Sequence, residues 1–292
     1  MKAFIFPGQG SQFPGMGYDL YQKNEQAKNL FQTSNKILNF DIAKIMFDGS
    51  SEDLKQTNVT QPAIFIHSTI LATCINGFTP DMVAGHSLGE FSALVAAKTL
   101  SFNDGLTLVM KRAELMHIAC QKNDSTMAAI LGLEANIIEK TCENIKGVVV
   151  PANYNSSNQI VISGERKSIE NACEKLSELG AKITVILRVS GAFHSPIMAS
   201  AKESLKEVIN SMEFQAPICP IYQNVCAQPI LNKNKLKENL IEQLTSPVKW
   251  HQTIENMIKE GAKQFVEVGP GNVLTGLNKR INRSIESIKA EI

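Results

Sequence analysis

The pentapeptide Gly85-His86-Ser87-Leu88-Gly89 is a G-x-S-x-G motif standing between an apolar run, Met82 to Ala84, and a helical pattern from Leu88 to Lys98. A serine on a tight strand-to-helix turn is pushed out of the sheet toward solvent, and flanking glycines remove Cβ atoms that would clash there. The backbone N–H of Leu88 then points to where an oxyanion would form. Ser87 is therefore a candidate nucleophile; the plainer alternative is a serine that only caps a helix. Its hydroxyl needs a base, and the chain has 5 histidines, at positions 67, 86, 117, 194 and 251. The side chain of His86, adjacent in sequence, should point away from that of Ser87. His67 sits in an apolar run and His117 in an apparent helix, which points to core and surface roles. His251 follows Trp250 and stays eligible by pattern. His194 lies in Gly191-Ala192-Phe193-His194-Ser195-Pro196, a loop between a strand and a helix, where catalytic groups gather. An ordinary solvated loop histidine would read the same way.

A second rich segment, Pro7-Gly8-Gln9-Gly10-Ser11-Gln12, follows the first strand. It lacks the Gly-Lys-Ser/Thr ending of a P-loop and the G-x-G-x-x-G of a dinucleotide site. Turn chemistry alone accounts for Gly8 and Gly10. The functional alternative is a second oxyanion donor at the carboxyl end of the sheet, beside the serine turn.

These segments need a scaffold. Ala3 to Phe6 and Met82 to Ala84 read as buried strands, with helical patterns between and after them. One runs from Asn103 to Cys120 behind Ser101, which forms a capping-box pattern with Asp104. Such alternation predicts an α/β sheet. After Asn123-Asp124-Ser125 the character changes. Strands are expected at Met127–Leu131, Val148–Val150, Gln159–Ser163 and Lys182–Leu187, with helices at Asn136–Asn144 and Lys167–Leu179. That order approximates the β-α-β-β-α-β of a ferredoxin-like unit. Residues 125–188 are thus expected to be a small inserted domain, and residues 1–124 with 189–292 a discontinuous large one. Helical patterns return at Pro196–Ser211, Lys235–Leu244 and Trp250–Lys259, and Gln264–Val268 reads as a late strand.

Composition excludes several classes. The 29 Lys+Arg and 28 Asp+Glu of the 292 residues leave a net charge of +1, and 43% of residues are hydrophobic. This is the balance of a soluble globular protein, not of a disordered chain or a general nucleic-acid binder. Ala63 to Ile75 falls short of the roughly 20 apolar residues that a bilayer requires, and the first residues are too brief for a signal-peptide core. A cytoplasmic protein without a membrane partner is expected. The 6 cysteines contain no C-x-x-C pair and read as buried free thiols, so no metal site is spelled out.

Phe6-Pro7-Gly8-Gln9-Gly10-Ser11-Gln12, Gly85-His86-Ser87-Leu88-Gly89-Glu90, Gly191-Ala192-Phe193-His194-Ser195 and Val268-Gly269-Pro270-Gly271, in this order and at these separations, resemble the malonyl-CoA:acyl carrier protein transacylases of bacterial fatty-acid synthesis. The resemblance runs from Lys2 to about Arg283. It implies an α/β-hydrolase-like large domain with a mainly parallel sheet and an inserted ferredoxin-like α+β small domain. It also implies an acyltransferase that moves malonyl from malonyl-CoA to the phosphopantetheine thiol of acyl carrier protein through a malonyl-serine intermediate. Carried over by position, Ser87 matches the nucleophile and His194 the general base. Gln243 matches the residue whose backbone carbonyl orients that histidine, which implies that changing its side chain is mild. Gln9 and Leu88 match the oxyanion-hole N–H donors. Arg112, by pattern a solvated helix residue, matches the arginine that pairs with the malonyl carboxylate. Asn153 and Asn155 match polar residues lining the cleft from the small domain. Phe193 matches a position that is bulky in malonyl-selective relatives. No cofactor is implied, since malonyl-CoA is a substrate and phosphopantetheine arrives on the carrier protein, and a monomer is expected. The alternatives are a stand-alone polyketide-type acyltransferase, a serine thioesterase, and a catalytically idle subunit that only binds the carrier protein.

Overall fold

In β1 (Lys2–Phe6), Ala3 and Ile5 enter one hydrophobic cluster while Phe4 and Phe6 enter another, so both faces of the strand are buried. A strand covered on both sides belongs at the centre of a parallel sheet with helices above and below. The computed structural model, which describes residues 1–291, bears this out. β1 is followed by helices α1 (Tyr18–Lys23), α2 (Glu25–Leu38), α3 (Ile42–Asp48) and α4 (Thr57–Cys74), then β2 (Met82–Gly85), α5 (Gly89–Ala96) and α6 (Phe102–Gln121). The Ser101 hydroxyl caps α6 by accepting from the Asp104 N–H, as the capping-box pattern implied.

The chain then forms β3 (Ser125–Leu131), α7 (Ala135–Glu143), β4 (Val149–Ser156), β5 (Gln159–Glu165), α8 (Arg166–Glu178) and β6 (Ile183–Ile186). It returns through α9 (Ala199–Ser211), β7 (Ile221–Tyr222), β8 (Pro229–Ile230), α10 (Lys233–Glu242), α11 (Trp250–Lys259), β9 (Gln264–Glu267), α12 (Val273–Ile281) and β10 (Glu286–Lys289). The main sheet has the order β10-β9-β1-β2-β7-β8, parallel except for the β7–β8 pair. The second sheet, β4-β5-β3-β6, is antiparallel throughout. Its element order is the β-α-β-β-α-β of ferredoxin-like units. The fold is α/β with an added antiparallel α+β unit.

β3 shows how the two parts join. Ala128 and Ile130 pack with Ile138, Ile162 and Leu176 in the second sheet's own core, whereas Met127 and Ala129 join the large cluster of the main sheet. β4 is longer than Val148–Val150 and is bulged twice, between Pro151 and Asn153 and between Tyr154 and Ser156. The bulges free its backbone for the main body: Val248 N–H donates to Ala152 O (2.8 Å), and Tyr154 N–H donates to Val248 O (2.9 Å). Two further expectations are refined. Pro196–Met198 is a 3₁₀ turn ahead of α9, and the helix expected to reach Leu244 ends at Glu242, with Gln243–Thr245 forming another 3₁₀ turn.

Parallel strands gather functional loops at their carboxyl ends. Here the segments after β1, β2 and β7 bring Gln9, Ser87 and Asn224 to one edge of the sheet. α4 lies behind it and buries His67, whose Nδ1 has no partner among the described residues. Burial, opposed by Asp19, pushes this imidazole down to about 4. Below pH 6.5 the unfolded chain therefore binds the proton first, so stability is lost as pH falls from 6.5 toward 4. His67→Gln is expected to gain on the native protein by up to about 3 kcal/mol over that window, read from urea melts at pH 7 and pH 4.5. An unchanged difference between the two would refute the neutral buried imidazole.

Candidate active site

The serine turn depends on two absent side chains. A Cβ on Gly85 would come within 1.9 Å of the Gly89 carbonyl carbon, and one on Gly89 within 1.9 Å of Phe6 O. These glycines let β1, β2 and the start of α5 close on one another, and the turn places Ser87 in the left-handed region at φ 51°. For a residue with a Cβ this conformation costs about 1–2 kcal/mol, so the surroundings must enforce it. They do so with three bonds. Ser87 N–H donates to Asn224 Oδ1 (2.7 Å), Asn224 Nδ2 donates to Gly85 O (2.6 Å), and Gln243 Nε2 donates to Ser87 O (3.0 Å).

His194 also has a left-handed backbone, φ 56°, and is buried. Its loop is pinned by Ser163 Oγ donating to Phe193 O (2.6 Å) and Ser195 Oγ donating to Ala192 O (2.7 Å). Its Nδ1 faces two carbonyls, Gln243 O at 2.9 Å and Ser246 O at 3.1 Å. Two acceptors require the proton on Nδ1, which leaves the Nε2 lone pair for Ser87 Oγ, 2.7 Å away. Burial, then the charge of Arg112, push the imidazole down to about 3 against the bond from Gln243 O, which favours the charged ring. At neutral pH it is a free base, poised to take the serine proton.

Arg112 corrects a reading made from pattern alone: it is fully buried on α6, not solvated. Its Nη1 donates to Gln61 Oε1 (2.5 Å), and its Nη2 reaches both Ser87 Oγ (3.1 Å) and Gln243 Oε1 (3.3 Å). The guanidinium carbon lies 5.2 Å from the centroid of the Phe91 ring. Burial, opposed by Glu90, lowers it to about 10, so it remains a cation at neutral pH. Its Nε has no partner among the described residues, which leaves a buried donor beside the nucleophile.

Gln243 does more than lend a carbonyl, because its side chain bridges Ser87 O and Arg112. The implied mildness of changing it does not fit this geometry. Gln243→Ala is expected to slow labelling of Ser87 by a serine-directed fluorophosphonate about tenfold, since both partners lose a buried bond. A rate within twofold of the native one would restore the carbonyl-only view.

The remaining candidates separate. Gln9, Gly10 and Phe193 line a cleft of about 500 Å³, with Lys55 and Arg188 also on its wall. Leu88 is buried at the N-cap of α5. Asn155 Oδ1 is taken by His86 Nε2 at 2.8 Å, and Asn153 is bridged to Val248 with its own Oδ1 unpartnered among the described residues. These contacts tie both residues to the main body, Asn155 to the residue that precedes Ser87. His251 stands 3.5 Å from Glu255 on α11, and His117 bonds Gln121, so both are occupied elsewhere. Pattern reasoning missed Gln61, Glu90, Asn224 and Ser246. A glutamine just ahead of the apolar run Ala63 to Ile75 was the only signal for Gln61, and Glu90 was visible as the residue following the serine motif.

Among the described residues no group of three or more His, Cys, Asp or Glu is arranged to hold a metal ion, and no helix is long and apolar enough to cross a membrane. Cys120, Cys142 and Cys219 are buried free thiols, while Cys74, Cys173 and Cys226 are half-buried.

Residues 3–291 match the acyl transferase domain family. A malonyl CoA-acyl carrier protein transacylase of Bacillus subtilis (strain 168) is 44% identical over 291 residues, 98% of this chain and 92% of that protein. An acyl carrier protein S-malonyltransferase structure from Vibrio cholerae superposes with a TM-score of 0.96 at 38% identity, covering 99% of this chain and 96% of that one. A malonyl-transacylase solved in complex with a type II polyketide acyl carrier protein also gives 0.96, at 35% identity over 99% of this chain and 95% of that one.

Proposed function

The chain belongs to the acyl transferase domain family, and from that premise we propose that it moves the malonyl group of malonyl-CoA to the phosphopantetheine thiol of acyl carrier protein through a malonyl-serine intermediate. It is a malonyl-CoA:acyl carrier protein S-malonyltransferase of fatty-acid synthesis. The observation that carries the reading is a buried guanidinium at the nucleophile, Arg112 Nη2 standing 3.1 Å from Ser87 Oγ. A hydrolase of neutral esters has no use for a buried cation there, whereas a substrate with a free carboxylate does.

The reaction runs in two halves. His194 Nε2 takes the Ser87 proton as Oγ attacks the thioester carbonyl, and the oxyanion rests on the N–H groups of Leu88 and Gln9. Collapse breaks the C–S bond; the coenzyme A sulfur leaves with the proton held by His194, and malonyl-Ser87 remains. The carrier thiol then gives its proton to His194 and attacks the ester, and Ser87 recovers its proton as malonyl passes to sulfur. Throughout, the carbonyls of Gln243 and Ser246 hold the Nδ1–H of His194, which is why a neutral acceptor serves where other triads use a carboxylate. Arg112 holds the malonyl carboxylate, and Phe193 narrows the space beside it.

The partners are acyl carrier protein, malonyl-CoA and coenzyme A, with no cofactor, metal or nucleic acid. The protein works as a cytoplasmic monomer, with residues 125–188 as a small domain covering the cleft of the large one formed by 1–124 and 189–292. The bulged β4, bonded to Val248, supports a closed arrangement that keeps water from the ester. The test is to supply malonyl-CoA with and without holo acyl carrier protein. Malonyl-carrier thioester is expected. Release of free malonate at a rate indifferent to the carrier protein would make the chain a thioesterase. Because one structural relative is complexed with a polyketide carrier protein, both kinds of carrier are offered, and faster loading of the fatty-acid one is expected.

A further inference from the structure

Glu90 is fully buried at the start of α5, yet the acyl-transfer steps leave it without a role. Burying a carboxylate is costly unless it is well bonded. Burial pushes this one up to about 7, against a backbone bond from Asn224, side-chain bonds from Gln223 and Gln243, and the charge of Arg112. Its two oxygens each accept an N–H: Oε2 from the Asn224 backbone (2.7 Å) and Oε1 from Gln223 Nε2 (3.1 Å). Gln223 is itself fixed to α10, donating to Leu236 O (3.0 Å) and accepting from Asn239 Nδ2 (2.9 Å). The far end of this chain is the serine turn, because the Asn224 carboxamide bonds Ser87 N–H on one side and Gly85 O on the other.

We propose that Glu90 and Asn224 are positioning residues that act as one clamp on the serine turn, Glu90 fixing the backbone of Asn224 and the Asn224 carboxamide fixing the peptides on either side of His86. The inference rests on Ser87 being the nucleophile. Ser87 has a strained backbone, and its Oγ must meet His194 Nε2 at 2.7 Å while the next N–H faces the oxyanion. Both requirements depend on the orientation of the peptides that Asn224 bonds. Position 90 needs two acceptor oxygens: an N–H donor meets each one, and a glutamine has a single acceptor oxygen, so one of its N–H groups would face another donor. The clamp also ties β7 to the turn after β2, which holds the elbow from the sheet instead of from the cleft.

The test uses Glu90→Gln, Asn224→Ala and the double variant in the full chain. Three quantities are read: kcat and KM for malonyl-CoA, the rate of Ser87 labelling by a fluorophosphonate, and the thermal midpoint. Each single variant is expected to lose about 10- to 100-fold in kcat and in labelling rate, with KM within about threefold of native, because geometry at the reacting atom and not binding is disturbed. The double variant is expected to be no more than about twofold slower than Asn224→Ala alone, since Glu90 acts through Asn224. Losses that multiply, a change in KM alone, or native rates would overturn the clamp. Failure of both single variants to fold would overturn it as well, by making the pair a structural strut. If the native chain takes malonyl from no donor, the acyltransferase reading fails, and the labelling rates still decide the clamp.

Discussion

Ser87→Ala is expected to abolish malonyl transfer, lowering kcat by a factor on the order of 10⁴ or more while the protein stays folded. The size follows from the chemistry. Without Oγ there is no atom to carry the acyl group from one thiol to the other, so residual turnover needs direct attack of one thiol on the other thioester. The fold should tolerate the change. The bonds that hold the turn come from the backbone of residue 87, with Asn224 Oδ1 accepting its N–H and Gln243 Nε2 donating to its carbonyl, and neither involves the hydroxyl. Arg112 Nη2 loses one acceptor but keeps Gln243 Oε1. A circular-dichroism melt beside the transfer assay checks both halves of this expectation. Transfer above about 1% of native in the variant would mean that another residue carries the acyl group.

Arg112→Ala is expected to cut kcat/KM for malonyl-CoA by about 10² to 10³, the range for removing one member of a buried charge pair. The loss for acetyl-CoA should be much smaller, so the preference between them narrows. The selectivity and not the loss is the informative part. Gln61 Oε1 and Glu90 also lose their cation in this variant, which lowers stability and slows both substrates. That damage is common to malonyl and acetyl and cancels in their ratio. Arg112→Lys sharpens the test, because lysine restores the charge without the planar fork and is expected to recover only part of the ratio. An unchanged malonyl-to-acetyl ratio in Arg112→Ala would remove the arginine from substrate recognition.

How far such a site can be read from sequence depends on what each residue is held by. Ser87 was legible because its requirements are local: a strand, two glycines that permit close approach and a helix all lie within a dozen residues. His194 was eligible as a loop residue but became the base only through likeness to a family, since its partners Ser87, Gln243 and Ser246 are remote in sequence. Arg112 shows the limit most plainly. On a helix wheel it is one polar residue among others, and its burial is decided by Gln61, Gln243 and Ser87 arriving from three other segments. Asn224 gave no signal, because nothing in its neighbours' pattern announces that its carboxamide reaches residues 85 and 87.

The fold divides in the same way. β1, β2 and β9 were legible as short apolar runs ended by turn residues, and α6 was marked at its start by Ser101 and Asp104. The alternation after residue 125 gave the antiparallel unit nearly strand by strand. β7, β8 and β10 were not seen, the first two having 2 residues each and β10 a single buried residue, Ser287, which is polar and marks no apolar pattern. Gln243 and Leu244 read from the sequence as the end of the helix Lys235–Leu244. In the 3₁₀ turn the Gln243 carbonyl accepts only a long bond from Ser246 N–H (3.4 Å) and also meets His194 Nδ1 at 2.9 Å, which is a consequence of tertiary contact and not of local preference.

The central claim is that Ser87 holds a malonyl group long enough to hand it to a second thiol. The most direct measurement is the intact mass of the protein after mixing with malonyl-CoA alone, beside Ser87→Ala and beside a sample given acetyl-CoA. One malonyl group per native chain is expected, absent from the variant, scarce with acetyl-CoA, and discharged when holo acyl carrier protein is added. Free malonate with no lasting adduct, or an adduct that persists in Ser87→Ala, would contradict the account.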